Sequence, residues 1–384
     1  MIPDSAPFGR RLFRQVQPLI EDATHEHKAD RYRKKFRATS HIWLMAMHLA
    51  TGSGSLRQTH TRFGAQPHLR RRLCLPEWIS LSQLARSSTS RSPEALLSLI
   101  TSLTAQLRDA PLFVSRCTDQ EWKALNKVRA IDSTFLALSG KLSAWSVHGR
   151  HKAGARVQCS LDIASRIPQV LCLTTASTND HTALWEQDLT GEEWEGWTLI
   201  VDLGYYGHKQ FERLLCHGVD FLSKLHAQAA YRVVQGVAVR QKQGWTPTKD
   251  DEVLSDEVIV LGSPNNRQGA VLEGVRLITS RNPHGEECRF ITSRHDLAAW
   301  EVVELYRRRW DIELFFRWLK RQLGAVRPLG YTKEALWLTV LAAALVALLW
   351  LLLDILQPPP PGISRVAWLR AVADTLPTAI FLSG

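Results

Sequence analysis

Three carboxylates stand where the surrounding residues make a carboxylate unusual. Asp132 is the single acid in residues 128–138 (VRAIDSTFLAL), a run rich in apolar and β-branched side chains. Asp202 closes the short apolar run 197–201 (WTLIV). Glu313 lies in residues 301–323 (EVVELYRRRWDIELFFRWLKRQL), close to Arg309, Arg317 and Lys320. A carboxylate buried without a partner is costly, so each of these demands a cation, a metal or water. Brought together, the three would make an all-oxygen site suited to Mg²⁺ or Mn²⁺. Two such ions, about 3.5–4 Å apart, would activate a water or a 3′-hydroxyl and stabilise the leaving oxygen of a phosphodiester. Each acid taken singly has a plainer reading, as a surface or salt-bridged residue. Glu313 in particular stands at four-residue spacing from both Arg309 and Arg317, a common helical pairing.

The elements that must position these acids differ in kind. Residues 301–323 read as one long helix, capped by Asp296 and ended by Gly324. At about 100° per residue, Tyr306, Arg309, Glu313 and Lys320 fall within an arc of about 60°. An apolar strip of Leu305, Ile312, Phe316, Leu319 and Leu323 runs beside that row. Asp132 sits inside a strand. Asp202 ends a short strand apolar enough to be covered on both faces, where open α/β sheets place functional groups. Residues 155–175 read as two strands joined by a turn near Ser165 and Arg166, Asn179 opens a helical stretch, and residues 208–216 form a helix. Between the second aspartate and the glutamate, residues 227–292 alternate like antiparallel strands separated by turns.

The whole chain sets further bounds. It has 384 residues, with 48 Lys and Arg against 37 Asp and Glu. Residues 1–75 hold 14 of those cations and five acids. This basic region reads as helical, with Ser40 and Ser55 as helix starts, and two further short helices follow at 79–86 and 93–97. Such a concentration of positive charge suits a polyanion, nucleic acid first and an anionic membrane surface second. The six cysteines include no Cys-x-x-Cys pair, which argues against a zinc site and a disulfide framework. Residues 335–353 carry no charge and meet the length of a membrane span, but equally that of a buried core helix. Residues 358–361 are prolines, a stiff break before a last short helix.

With these residues in view, the chain resembles the DDE transposases of bacterial insertion sequences, in the insertion-sequence-four family. That family's signature is Tyr-x2-Arg-x3-Glu-x6-Lys, and Tyr306, Arg309, Glu313 and Lys320 match it in type and spacing. Ile131-Asp132-Ser133-Thr134 and Val201-Asp202-Leu203-Gly204-Tyr205 match its two aspartate regions, and Lys224 stands where the family more often has Arg. The similarity runs over roughly residues 28–355.

The resemblance implies an α/β fold, with a ribonuclease-H-like catalytic core of mixed sheet and flanking helices at 126–226 and 293–356. It implies a β-rich insertion at 227–292, a helical, basic DNA-binding region at 1–125, and leaves 357–384 as a Pro-rich break and short helix. It further implies Asp132, Asp202 and Glu313 as catalytic metal ligands for Mg²⁺ or Mn²⁺, as two ions. Tyr306, Arg309, Lys320 and Arg317 would contact DNA. A hairpin with a flipped base is known in parts of the family; Trp245 either stacks on such a base or packs its own turn. The expected partners are transposon-end DNA, target DNA and a second copy in the synaptic complex. A cytoplasmic setting is expected, with no stable membrane association and residues 335–353 as a core helix. The competing expectations are a catalytically inactive DNA-binding derivative of the same fold and a related ribonuclease-H-like nuclease.

Overall fold

The structure, a computed structural model, describes residues 6–31, 35–52, 54–64, 66–75, 77–108, 119–137, 147–148, 152–175, 178–244, 246, 249–263, 270–322, 329–330 and 332–356. Its strands are β1 (Val128–Ala137), β2 (Val147–His148), β3 (Lys152–Asp162), β4 (Pro168–Thr175), β5 (Thr198–Val201), β6 (Asp220–Lys224), β7 (Tyr231–Gly236), β8 (Glu252–Leu261), β9 (Leu272–Arg281) and β10 (Glu287–Thr292). They make one mixed sheet in the order β2-β3-β1-β5-β6-β10-β9-β8-β7, with β4 also on β3. The apolar runs around the two aspartates are neighbours: β1 and β5 pair in parallel, from Val128↔Thr198 to Ile131↔Val201. β5 and β6 are also parallel, and β3 and β10 flank this trio antiparallel.

Side-chain alternation divides the sheet into two buried faces. Val128, Ala130, Ile200 and Leu222 belong to one core. Ile131, Leu199, Val201 and Phe221 belong to the other. The N-terminal helices α1 (Ala6–Glu26), α2 (Ala38–Ala50), α3 (Leu56–Gly64), α4 (Pro67–Arg72), α5 (Leu81–Ser90) and α6 (Glu94–Arg108), together with α7 (Asp119–Leu125), contribute to the same core as the first face. The second is covered by α8 (Asp180–Trp185) and α9 (His208–Cys216), through Leu184, Phe211 and Leu214. α10 (Ala299–Arg307), α11 (Trp310–Gln322) and α12 (Lys333–Leu356) return to the first face.

Several helix starts follow the capping chemistry of the sequence. The Ser55 hydroxyl accepts from Gln58 N at 3.2 Å, Ser80 from Gln83 N at 3.2 Å, and Asn179 Oδ1 from His181 N at 2.9 Å. Two expected caps are corrected. Ser40 lies inside α2 and donates instead to the Leu73 carbonyl at 2.6 Å. The orphan Ala38 N–H is taken by Asp30 Oδ1 at 2.6 Å. Asp296 does not cap α10: Arg294 holds its carboxylate at 2.6 and 2.8 Å, and Glu301 reaches back to Ala298 N at 2.7 Å. The expected end at Gly324 lies outside the described residues.

α12 is the one helix among the described residues long and apolar enough to cross a membrane, and 83% of its apolar window is buried in the protein. It packs against α1, α2, α5, α6 and β4. The strands of 227–292 continue the same sheet: β10 pairs with β6, and β9, β8 and β7 follow in a meander. Within it, Arg276 on β9 and Asp256 on β8 form a buried pair, Nη2 to Oδ2 at 2.6 Å, with 5% and 2% of their side chains exposed.

Candidate functional site

The register of β1 and β5 brings Asp132 and Asp202 together. Each follows immediately after the pair Ile131↔Val201, so the two stand side by side across adjacent strands. Parallel neighbours lie about 4.8 Å apart. By alternation both acids belong to the face of Ala130 and Ile200, the face that α10 and α11 cover. Ser133 N donates to Asp132 Oδ1 at 2.8 Å, fixing that carboxyl.

The expected single helix at 301–323 is two helices, α10 and α11, broken at Arg308 and Arg309. Arg309 N bonds Tyr306 O at 3.0 Å, Asp311 N bonds Arg308 O at 2.9 Å, and Ile312 N bonds Arg309 O at 3.2 Å. These are three-residue, 3₁₀-type bonds, and in such a turn side chains at i and i+3 eclipse. Tyr306 and Arg309 are such a pair, and the guanidinium lies 6.0 Å from the ring centre. The break thus changes the computed arc while keeping both side chains aimed at the sheet.

Tyr306 donates its hydroxyl to Asp202 Oδ1 at 3.3 Å. Arg309 reaches Glu313 Oε1 at 2.6 Å and Asp132 Oδ2 at 3.5 Å. Tyr306, Arg309 and Glu313 from one segment therefore meet Asp132 and Asp202 from two strands. Of the two arginine partners open to Glu313 in the sequence, Arg309 is the one it takes; Arg317 stacks over the Trp310 ring at 5.8 Å. Lys320 makes no ion pair with a described residue, and burial lowers its pKa. Trp245 lies outside the described residues.

Two neighbours had no site role in the sequence reading. Phe290 on β10 packs on the Tyr306 ring with centroids 4.9 Å apart, and Lys224 Nζ at the end of β6 lies 5.7 Å from the same ring. Their signal was faint, because it depends on β6 and β10 being adjacent, which strand patterns alone do not reveal.

The electrostatics are those of crowded acids. Burial pushes the Asp132 carboxyl up to about 6, and Asp202 and Glu313 push the same way against the Ser133 N–H and Arg309. The Arg309 cation is disfavoured by burial, yet Asp202, Tyr306 and Glu313 more than offset this and hold its pKa above the ordinary value. Among the described residues, no group of three or more His, Cys, Asp and Glu side chains is arranged to hold a metal ion. A cation already bridges Asp132 and Glu313 in the form of the Arg309 guanidinium. The donor chemistry nevertheless fits a hard divalent ion: oxygen only, with side chains of Asp132 and Glu313 21% and 28% exposed.

The raised carboxyl has a measurable consequence. A carboxyl whose folded pKa exceeds its unfolded one favours folding while protonated. That advantage disappears as pH rises from the ordinary value through about 6. Without divalent metal, Asp132→Asn should therefore stabilise the protein by about 1–3 kcal/mol at about pH 8. The gain should vanish below about pH 4. Thermal melts across that range check it; an equal effect at both ends would contradict it.

Away from the acids, a cleft of about 1060 Å³ lies along α1 and α2, lined by Lys28, Arg31 and Arg37 and also by Glu21 and Asp30.

Comparison with known proteins places the chain in a family. Residues 123–349 match the family described as the transposase DDE domain. The chain belongs to that family. It is 24% identical over 247 residues to a probable transposase for insertion sequence element IS5377 of Geobacillus stearothermophilus, covering 62% of this chain. It is 28% identical over 232 residues to y4zB of Sinorhizobium fredii (strain NBRC 101917 / NGR234), also named as a transposase, covering 60% of this chain. The chain spans 61% of the length of each of these relatives. A cryo-EM structure of the piggyBac transposase synaptic complex with hairpin DNA superposes with a TM-score of 0.45 at 10% identity, covering 96% of this chain and 78% of that one.

Proposed function

We propose that this chain is the transposase of an insertion sequence, of the insertion-sequence-four type, which binds terminal inverted repeats, cuts them and joins them to target DNA. The observation that carries the reading is the meeting of Asp132 on β1 and Asp202 directly after the parallel strand β5 with Glu313 and its partner Arg309. The core at 126–226 and 293–356 is read as ribonuclease-H-like, with 227–292 as its insertion and 1–125 as the DNA-docking region. The basic character of residues 1–75 supports that last assignment.

Asp132, Asp202 and Glu313 would hold Mg²⁺ or Mn²⁺, as two ions. Bound there, the metal supplies Lewis-acid activation of a water or 3′-hydroxyl and charge stabilisation at phosphorus. The chain's own residues do the rest. Tyr306 steadies the Asp202 carboxylate through its hydroxyl. Arg309 neutralises the acids, and its planar fork suits a phosphate oxygen pair equally well. Lys320 and Arg317 extend the positive row along α11 toward the same strand. Two copies would pair the two ends.

The test is to incubate the purified chain with duplex carrying its own terminal repeats, with Mg²⁺, with Mn²⁺ or with chelator. Metal-dependent nicks at the repeat boundary, followed by joined products, are expected. Binding without cutting would replace this reading by an inactive derivative. Cutting without joining would replace it by a nuclease.

A further inference from the structure

On the reverse side of the sheet from the acids, a chain of polar groups ties the turn after Asp202 to β3, the strand that pairs with β1. Tyr205 ends the 3₁₀ turn Leu203–Tyr205 that starts directly after Asp202, and Tyr205 N bonds Asp202 O at 2.9 Å. Its hydroxyl donates to Gln158 Oε1 at 3.0 Å. Gln158 is fully buried on β3 and pairs in register with Ser133, the residue after Asp132. The amide of Gln158 then passes to Asp180, reaching its carbonyl at 3.2 Å and Oδ1 at 3.3 Å. Asp180 is held at 2.5 Å by Arg156 Nη1, also on β3. Trp185 on α8 donates to the Tyr205 carbonyl at 3.2 Å.

These groups touch neither Asp132 nor Asp202 carboxylate oxygens through any of those bonds. They fix what the strand pairing leaves loose. β1 and β5 stop pairing at Ile131↔Val201, so the ladder does not hold Asp202. The direction of Asp202 is set by the turn that follows it, and that turn is anchored by Tyr205. A buried glutamine with both ends of its amide engaged locks the anchor, since leaving either end unpaired would be costly.

We propose that Tyr205 and Gln158 are positioning residues for the acid site, holding Asp202 at a fixed spacing from Asp132 from behind the sheet. This rests on the metal-binding reading of the acids given above. Their role is preorganisation: a site whose ligands are held in place binds its ion more tightly and needs less reorganisation when it does so.

The experiment uses the full chain without DNA and follows its melting temperature as Mg²⁺ is added. Wild type is compared with Tyr205→Phe, which removes one hydroxyl, and with Gln158→Met, which removes all three hydrogen bonds of the side-chain amide at similar volume. Cleavage of end DNA is titrated with Mg²⁺ in parallel. The expected result is a Mg²⁺ midpoint raised about tenfold in both readouts, the effect of losing roughly one good hydrogen bond. A variant that melts lower without metal but keeps the wild-type midpoint would show a purely structural role and overturn the proposal. If Tyr205→Phe does not fold, Gln158→Met carries the comparison. A wild type that neither melts higher nor cleaves with Mg²⁺ would remove the metal reading and this inference together. A responsive wild type with unmoved variants removes this inference alone.

Discussion

Alanine at Asp132, Asp202 or Glu313 is expected to lower metal-dependent strand cleavage by about three orders of magnitude or more, equivalent to roughly 4 kcal/mol of transition-state stabilisation. Asp132 and Glu313 share one arginine and Asp202 takes the Tyr306 hydroxyl, so the group acts as a unit. Residues that act as a unit are not additive, and a double substitution should cost little more than a single one. Binding of repeat DNA in a gel-shift assay should persist, because the basic N-terminal region is untouched. Cleavage rates under single-turnover conditions decide the matter. A variant of any of the three that keeps near-wild-type rates would exclude that residue from the site.

Asp256→Ala should have the largest effect on folding. Asp256 and Arg276 are almost wholly enclosed, and the guanidinium also donates to the carbonyls of Arg294 and Leu297 at 2.8 and 2.7 Å. Those carbonyls lie on the chain leading into α10, which carries Tyr306. Removing the aspartate leaves a buried, half-paired cation, at a cost of about 3–5 kcal/mol. Urea titration should read this as a lower midpoint with a similar slope. Replacing both partners with apolar residues of similar volume should recover much of the loss, because it removes the charge that was left unpaired. A single substitution that left the midpoint unchanged would mean the pair contributes nothing.

Much of this architecture was legible in the residues themselves, for identifiable reasons. The runs around Asp132 and Asp202 are apolar and β-branched, and their burial on both faces agrees with that composition. Asn179 and Ser55 announced their helices because each cap acts on a neighbour two or three residues ahead. The misreadings share a different cause. Ser40 and Asp296 are good capping residues by type, yet each was claimed by a partner that local sequence does not identify: the Leu73 carbonyl and Arg294. The break at Arg308 and Arg309 escaped notice because a single 3₁₀ turn barely disturbs the spacing of apolar residues on either side. The Arg276–Asp256 pair and the Tyr205–Gln158 link were not legible at all. Strand alternation says whether a side chain points inward, but not which polar group from another strand will meet it there.

The hydrogen bond between Arg309 and Asp132 spans 177 positions of chain. In time rather than distance, this orders the protein's birth. At about 5–20 residues per second, roughly 9–35 s separate the emergence of these two residues from a ribosome. During that interval β1 can pair with β3, and later with β5, but the acids have neither their arginine nor their third member. The nascent chain is thus without a complete acid cluster until Glu313 has been made. Long-range closure of this kind is slow to form. A fragment ending before α10 would carry both aspartates and still lack the means to pair or complete them.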